Sequence, residues 1–87
     1  MTANLTATND ATAYLIAHGF RHDPGPNWYD APDGRVRVEI NSANGGWLTV
    51  YAMTGGWLSR WQVQLYGAPL VVFIATVTAA AIAPANV

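Results

Sequence analysis

The sequence predicts an α+β fold: a four-stranded antiparallel meander with an N-terminal and a C-terminal helix on one face, in the order α-β-β-β-β-α. Three observations predict it. Residues 35–40, 47–53 and 61–66 alternate apolar and polar side chains, the period of a sheet with one buried and one wet face. Turn signals separate these runs: Ala31-Pro32-Asp33-Gly34, Asn44-Gly45-Gly46 and Thr54-Gly55-Gly56. Helical patterns flank the whole, at residues 10–18 and 70–82.

The first helix takes its cap from Thr8, Asn9 or Asp10, whose side-chain oxygens accept unpaired amide hydrogens of the first turn. Ala11, Tyr14, Leu15 and His18 share one stripe, with Ile16 beside it. Gly19 stops the helix by taking the left-handed conformation, and Phe20 then folds back on Leu15 in a Schellman turn. Residues 21–27 are expected to be irregular, because Asp23-Pro24-Gly25-Pro26 denies regular structure. Trp28-Tyr29-Asp30 is a short strand. Gly34 supplies the positive φ of the bulged hairpin that follows.

In the second strand Val36, Val38 and Ile40 face the core, while Arg35, Arg37 and Glu39 meet water. In the third, either Leu48, Val50 and Ala52 or Trp47, Thr49, Tyr51 and Met53 can face the core; the aliphatic set is favoured inside, with Thr49 and Tyr51 outside. In the fourth, Trp61, Val63 and Leu65 point in and Gln62 and Gln64 point out. Gly45-Gly46-Trp47-Leu48-Thr49 recurs as Gly55-Gly56-Trp57-Leu58-Ser59, read as two similar hairpin corners because two copies are too few for a solenoid. Pro69 opens the last helix, where its missing amide hydrogen costs little, and Pro84 ends it. Leu70, Phe73, Ile74, Val77 and Ala81 form its core stripe. Val72, Thr76, Ala79 and Ala83 form the opposite side, small and nearly apolar, and are the candidate seam of a dimer.

Composition narrows the function. With 87 residues the chain makes one domain, expected over residues 9–84, with a flexible start at 1–8 and a tail at 85–87. There is no Cys, so neither a disulfide framework nor a thiolate metal site is available. Charged residues make up 10% and hydrophobic residues 52%, so apolar surface is left exposed or covered by a partner. A net charge of −1 without a single Lys argues against a surface that tracks phosphates. Residues 1–8 lack a basic region and an apolar core, so no signal peptide is expected. The run 69–83 rises about 22 Å as a helix, short of the roughly 30 Å of a bilayer core; a membrane span is not expected, and the location expected is cytoplasmic.

No catalytic set emerges. His18 sits at a helix end, where an imidazole complements the dipole. His22 with Asp23, and Asp30 from further along, can begin a metal site or an acid–base pair, but two histidines without a spacing motif are weak support. No metal, no cofactor and no enzyme activity is expected. The four tryptophans are the notable excess: Trp61 reads as core, and Trp28, Trp47 and Trp57 as closing the sheet ends or as a patch for a partner, since Trp, Tyr and Arg dominate binding hot spots. The candidate binding residues are Arg37, Trp47, Tyr51, Trp57, Gln62 and Gln64 on the open sheet face. The function expected is a small non-catalytic, self-associating protein-interaction module. The alternative is a nucleic-acid-binding module using that face as a stacking platform.

The order of features also resembles an uncharacterised domain family of actinobacteria and their phages. The resemblance rests on Gly19-Phe20 after a short helix, Tyr29, Pro32-Asp33-Gly34-Arg35-Val36, Trp47 opening a strand, Trp61-x-Val63, and a Pro-led, Ala/Thr-rich end at 69–81. It covers residues 13–83 and implies architecture, a phage or actinobacterial setting and a host protein as partner, not chemistry. Helix, Gly-Phe and Pro-Asp-Gly-Arg also look like the HicA-type toxin RNases. Where those carry a catalytic His, this chain has Gly25-Pro26-Asn27-Trp28, so the resemblance implies a fold without the nuclease.

Overall fold

The computed structural model describes residues 8–23, 27–41, 46–54 and 58–82. Along the chain these form α1 (Thr8–Ala17), β1 (Arg21–His22), β2 (Trp28–Asp30), β3 (Val36–Asn41), β4 (Trp47–Met53), β5 (Ser59–Leu65) and α2 (Leu70–Ala81). The sheet is an antiparallel meander in the order β1-β2-β3-β4-β5. It has five strands, not four. The additional one is β1, inside the segment expected to be irregular: Arg21 pairs with Asp30 and His22 with Tyr29. Proline restricts itself and the residue before it, so the two residues after Phe20 are free to add an edge.

Register puts two sets of side chains on opposite faces. Val36, Val38 and Ile40 line up with Ala52, Val50 and Leu48, and all six are buried. They join Ala11 and Leu15 of α1 and Phe73, Val77 and Ala80 of α2 in one cluster, so both helices cover the same face. α2 lies over β3 and β4. β5 is the outer strand, and Val63 is 37% exposed although its partner Val50 is fully buried. Trp61 and Leu65 are half-buried. The alternation expected of β5 is present, but α2 does not reach far enough to cover it.

The first helix stops as its sequence indicates. Gly19 has φ +84°; its amide donates to Ile16 O at 3.1 Å, and the Phe20 amide donates to Leu15 O at 2.9 Å, the paired bonds of a Schellman motif. A Cβ on Gly19 would stand 3.4 Å from Pro32 Cγ, so the helix end packs closely on the β2–β3 turn. That turn is closed by Gly34 N–H donating to Ala31 O at 3.0 Å, with Gly34 at φ +74°. α1 already includes Thr8, Asn9 and Asp10, so the three expected caps lie inside its first turn, where the Asp10 carboxylate suits the helix dipole; the residue before Thr8 lies outside the described set. His18 is exposed rather than part of the buried stripe.

In α2, Pro69 is the residue before the first helical one, with φ −62° and ψ 152°, one position earlier than expected. Its core stripe is Phe73, Val77 and Ala80, flanked by half-buried Leu70 and Ile74. Ala81 is exposed, a shift of one residue. In a stretch of Ala and Thr the sequence holds little to fix which side faces in. At β5, Ala52 pairs with Trp61 but Met53 pairs with Ser59. Arg60 is the extra residue of a β-bulge, which re-aims a side chain. Its guanidinium reaches the end of α2 and donates to Ala80 O at 3.2 Å and Ile82 O at 3.3 Å. Among the described residues no helix is long and apolar enough to cross a membrane.

Candidate functional site on the open sheet face

The sheet's second face carries Trp28 and Asp30 from β2, Arg37 and Glu39 from β3, Thr49 and Tyr51 from β4, and Gln62 and Gln64 from β5. Alternation and register put them there. Arg37 stands between Asp30 and Tyr51, and Tyr51 between Arg37 and Gln62. In the neighbouring row, Glu39 and Gln64 flank Thr49. The core residues on the other side fix this arrangement, because a slip of one residue would turn Val36, Val38 and Ile40 outward.

Arg37 is the hub. Its guanidinium lies 4.6 Å from the centroid of the Trp28 ring, within reach of a cation–π attraction. One terminal nitrogen donates to Asp23 Oδ2 at 2.8 Å. Nε sits 2.9 Å from Asp30 Oδ1 as an ion pair but is not aligned with it as a hydrogen bond. Trp28 in turn meets the Tyr51 ring at 5.5 Å between centroids, tilted by 40°. Tyr51 donates a long hydrogen bond of 3.4 Å to Glu39 Oε1. Burial first, then the charge of Glu39 and its acceptance of this bond, raise the phenol above its ordinary pKa, while Arg37 pulls it back.

Trp28, Arg37 and Tyr51 enclose, with Met53 and Ser59, a cavity of about 150 Å³. Pockets for cofactors and drug-sized ligands start at roughly 300 Å³, so this one takes a group the size of one side chain. No imidazole lines it, so Ser59 has no neighbouring His to act as its base there.

Thr49 departs from expectation. It points to the polar face yet is 1% exposed, and its Oγ1 has no hydrogen-bond partner among the described residues. Glu39 and Gln64 flank it across the strands and Trp47 and Tyr51 along its own, so large side chains close over it.

Of the expected binding residues, Arg37 and Tyr51 are direct cross-strand partners, with Gln62 next in line. Gln64 lies one row away, and Trp47 lies at the far end, opposite Asn41 and 6.0 Å from the Tyr66 ring. Trp57 falls outside the described residues. Trp28, read from sequence mainly as a strand start, belongs to the centre of the cluster. The signal that finds it is register: Trp28 is opposite Glu39 and therefore diagonal to Arg37.

The candidate metal trio is not assembled. Asp23 and Asp30 both hold Arg37. His22 pairs with buried Tyr29 and stacks on its ring at 4.6 Å and 9°, which puts it across the sheet from Asp30. Among the described residues no three His, Cys, Asp or Glu side chains gather in a metal-binding group. His18 has a structural bond: facing a carbonyl oxygen, its Nδ1 must be the donor, to Tyr14 O at 2.8 Å.

On α2, Val72 is 39% exposed and Ala79 is exposed, while Thr76 is half-buried. The Thr76 hydroxyl donates to Val72 O at 2.8 Å, so its only hydrogen is already used. Ala83 lies outside the described residues. Comparison of the chain with family models, curated proteins and solved structures returns no match.

Proposed function

We propose that the protein is a small non-catalytic protein-interaction module that recognises a partner through its open sheet face and self-associates along α2. The observation that carries the recognition reading is the meeting of Trp28, Arg37 and Tyr51 around a side-chain-sized cavity. Aromatic and Arg anchors around such a pocket are the composition of interface hot spots.

The seam proposed between copies runs along Val72, Thr76, Ala79 and Ala83. Exposed Val71 and Ile82 border it, and with the Thr76 hydroxyl hydrogen turned back to its own helix the stripe is mostly apolar and offers no side-chain donor. The small side chains permit close helix approach.

The nucleic-acid alternative draws on the same aromatics, but the charge balance weighs against it. Arg37 already faces two carboxylates, and Glu39 is close by, so phosphate finds little net attraction. A cytoplasmic setting and a host protein as partner complete the proposal. The resemblance to actinobacterial and phage domains supports that setting.

Light scattering at low and high protein concentration tests self-association. A dimer that A79R returns to monomer is expected; a monomer at every concentration sinks the seam. Capture from actinobacterial lysate tests recognition, with W28A/Y51A as control. The same proteins retained by both forms would remove the sheet face from the reading. Gel mobility at low salt addresses nucleic acid, and a shift at micromolar protein would favour the alternative.

A further inference from the structure

A second concavity lies on the helix side, between the end of α1, α2 and the β2–β3 turn, with a volume of about 340 Å³. This is within the size range of small-molecule sites. Its floor is apolar, built from Val36, Val77 and Ala81 with the Phe20 ring at the side. The walls are tied together, because Gly19 packs closely on Pro32 and the Tyr14 ring meets Phe73 edge-on at 6.0 Å.

The polar groups around this cleft have a common character. Thr78 spends its only hydroxyl hydrogen on Ile74 O at 2.8 Å, so it faces a ligand as an acceptor. His18 donates from Nδ1 to Tyr14 O at 2.8 Å, so the neutral ring has only a lone pair at Nε2. Asp33 accepts from Arg35 N–H through Oδ1 at 3.0 Å, which leaves Oδ2. Among the described residues Asp33 is also the only carboxylate lining the cleft. A ligand that fills it therefore meets an apolar floor, aromatic edges and three acceptors. Among the described side chains the Tyr14 hydroxyl alone can donate.

The geometry points to a binding site for a small organic amine: a flat apolar body on Val36, Val77 and Phe20, with a protonated nitrogen directed at Asp33 and His18. A carboxylate or phosphate ligand would face acceptors and a like charge. A neutral ligand could donate a hydrogen bond to the rim but would bring no positive charge to Asp33.

The probes are 2-phenylethylamine, 2-phenylethanol and 3-phenylpropionate, titrated into the full-length ¹⁵N-labelled protein and followed by amide chemical shifts. For a molecule this small, saturable binding of the amine with a Kd on the order of 1 mM is expected. The shifts should centre on Tyr14, Phe20, Asp33 and Thr78, with the alcohol and the acid about tenfold weaker or worse. D33N keeps the turn acceptor that Arg35 N–H uses and removes the charge; it should weaken the amine about fivefold to tenfold and leave the alcohol unchanged. Equal binding of the three probes overturns the proposal and leaves an unselective greasy cleft. So does the absence of saturable shifts at these residues up to about 20 mM amine. If D33N does not fold, the comparison of probes on the native chain still decides. None of these outcomes bears on the sheet face, which lies on the other side of the β-layer.

Discussion

The Arg60 guanidinium donates to the main-chain oxygen of Ala80 at 3.2 Å. This bond joins the outermost long strand to the end of the last helix, and it depends on the bulge between Ala52 and Met53 on one strand and Trp61 and Ser59 on the other. The last carbonyls of a helix have no partner of their own, and a cation there suits the dipole. α2 has no other basic residue in its last turn. R60A should therefore destabilise the fold by about 1–2 kcal/mol, read as a lower urea midpoint with an unchanged slope. R60K should recover part of the loss, keeping the charge but not the planar group whose one terminal nitrogen donates to both Ala80 O and Ile82 O. A midpoint of R60A equal to wild type would mean that the bulge serves some other end.

Phe73 is the largest fully buried side chain among the described residues. It stands where α2 meets Tyr14 of α1 and the β3–β4 face. F73A should cost about 3–5 kcal/mol. In a domain of this size that approaches the whole stability, so the expected outcome is loss of the cooperative thermal transition. F73L keeps most of the volume and should retain a transition at lower temperature.

Much of this architecture is legible in the sequence, for identifiable reasons. Val36-Arg37-Val38-Glu39-Ile40 cannot face two ways, because one face is charged and the other aliphatic. Gly19-Phe20 announces its own Schellman turn. What the sequence hides is whatever depends on a neighbour. β1 is two residues long and shows no period. Val63 alternates correctly, but its exposure follows from where α2 ends its cover. The turn of Arg60 toward α2 requires a bulge that no residue type marks. Trp28 joins the candidate site through a diagonal contact, which only register reveals. Thr49 reads as a surface residue until the size of all four of its neighbours is considered.

Tyr51 gives the sheet face a signature in alkali. Its phenol is raised by burial, then by the Glu39 charge and hydrogen bond, and lowered by Arg37. Ultraviolet titration should find its ionisation as the step missing from Y51F. E39Q should move that step down and R37A should move it up. The sign for stability follows. A raised pKa favours the protonated form in the fold, so the contribution is whole below the unfolded value of about 10. It is lost as pH rises from there through the folded value. Wild type should thus lose stability above that pH more steeply than Y51F. Parallel curves would show that Tyr51 is as free in the fold as in the unfolded chain.

Arg37 and Trp28 should prove energetically coupled. The guanidinium is half-buried between Asp23 and Asp30 and lies against the indole. A double-mutant cycle of R37A and W28A, read by urea unfolding, should give a coupling of about 0.5–1 kcal/mol. D30N should change the coupling little, since the Nε contact to Asp30 is not an aligned hydrogen bond. Strict additivity would reduce the ring contact to proximity and weaken the case for a preformed anchor.

Thr49 supplies the least expected of these outcomes. A hydroxyl buried without a partner costs about 1–3 kcal/mol relative to one that is satisfied. Valine has nearly the same shape, prefers strands and has no polar atom to satisfy. T49V at a site 1% exposed should therefore leave stability unchanged or raise it by about 1 kcal/mol, although it places an aliphatic residue on the polar face. Ordinary exposed positions of that face should not behave this way: T49V should gain where Q62V gains nothing beyond strand propensity, since Gln62 is exposed. Chemical denaturation of the two variants side by side separates the cases. A loss of more than about 1 kcal/mol in T49V would mean that the hydroxyl does have a partner in solution, and that the roof of side chains over β4 admits water.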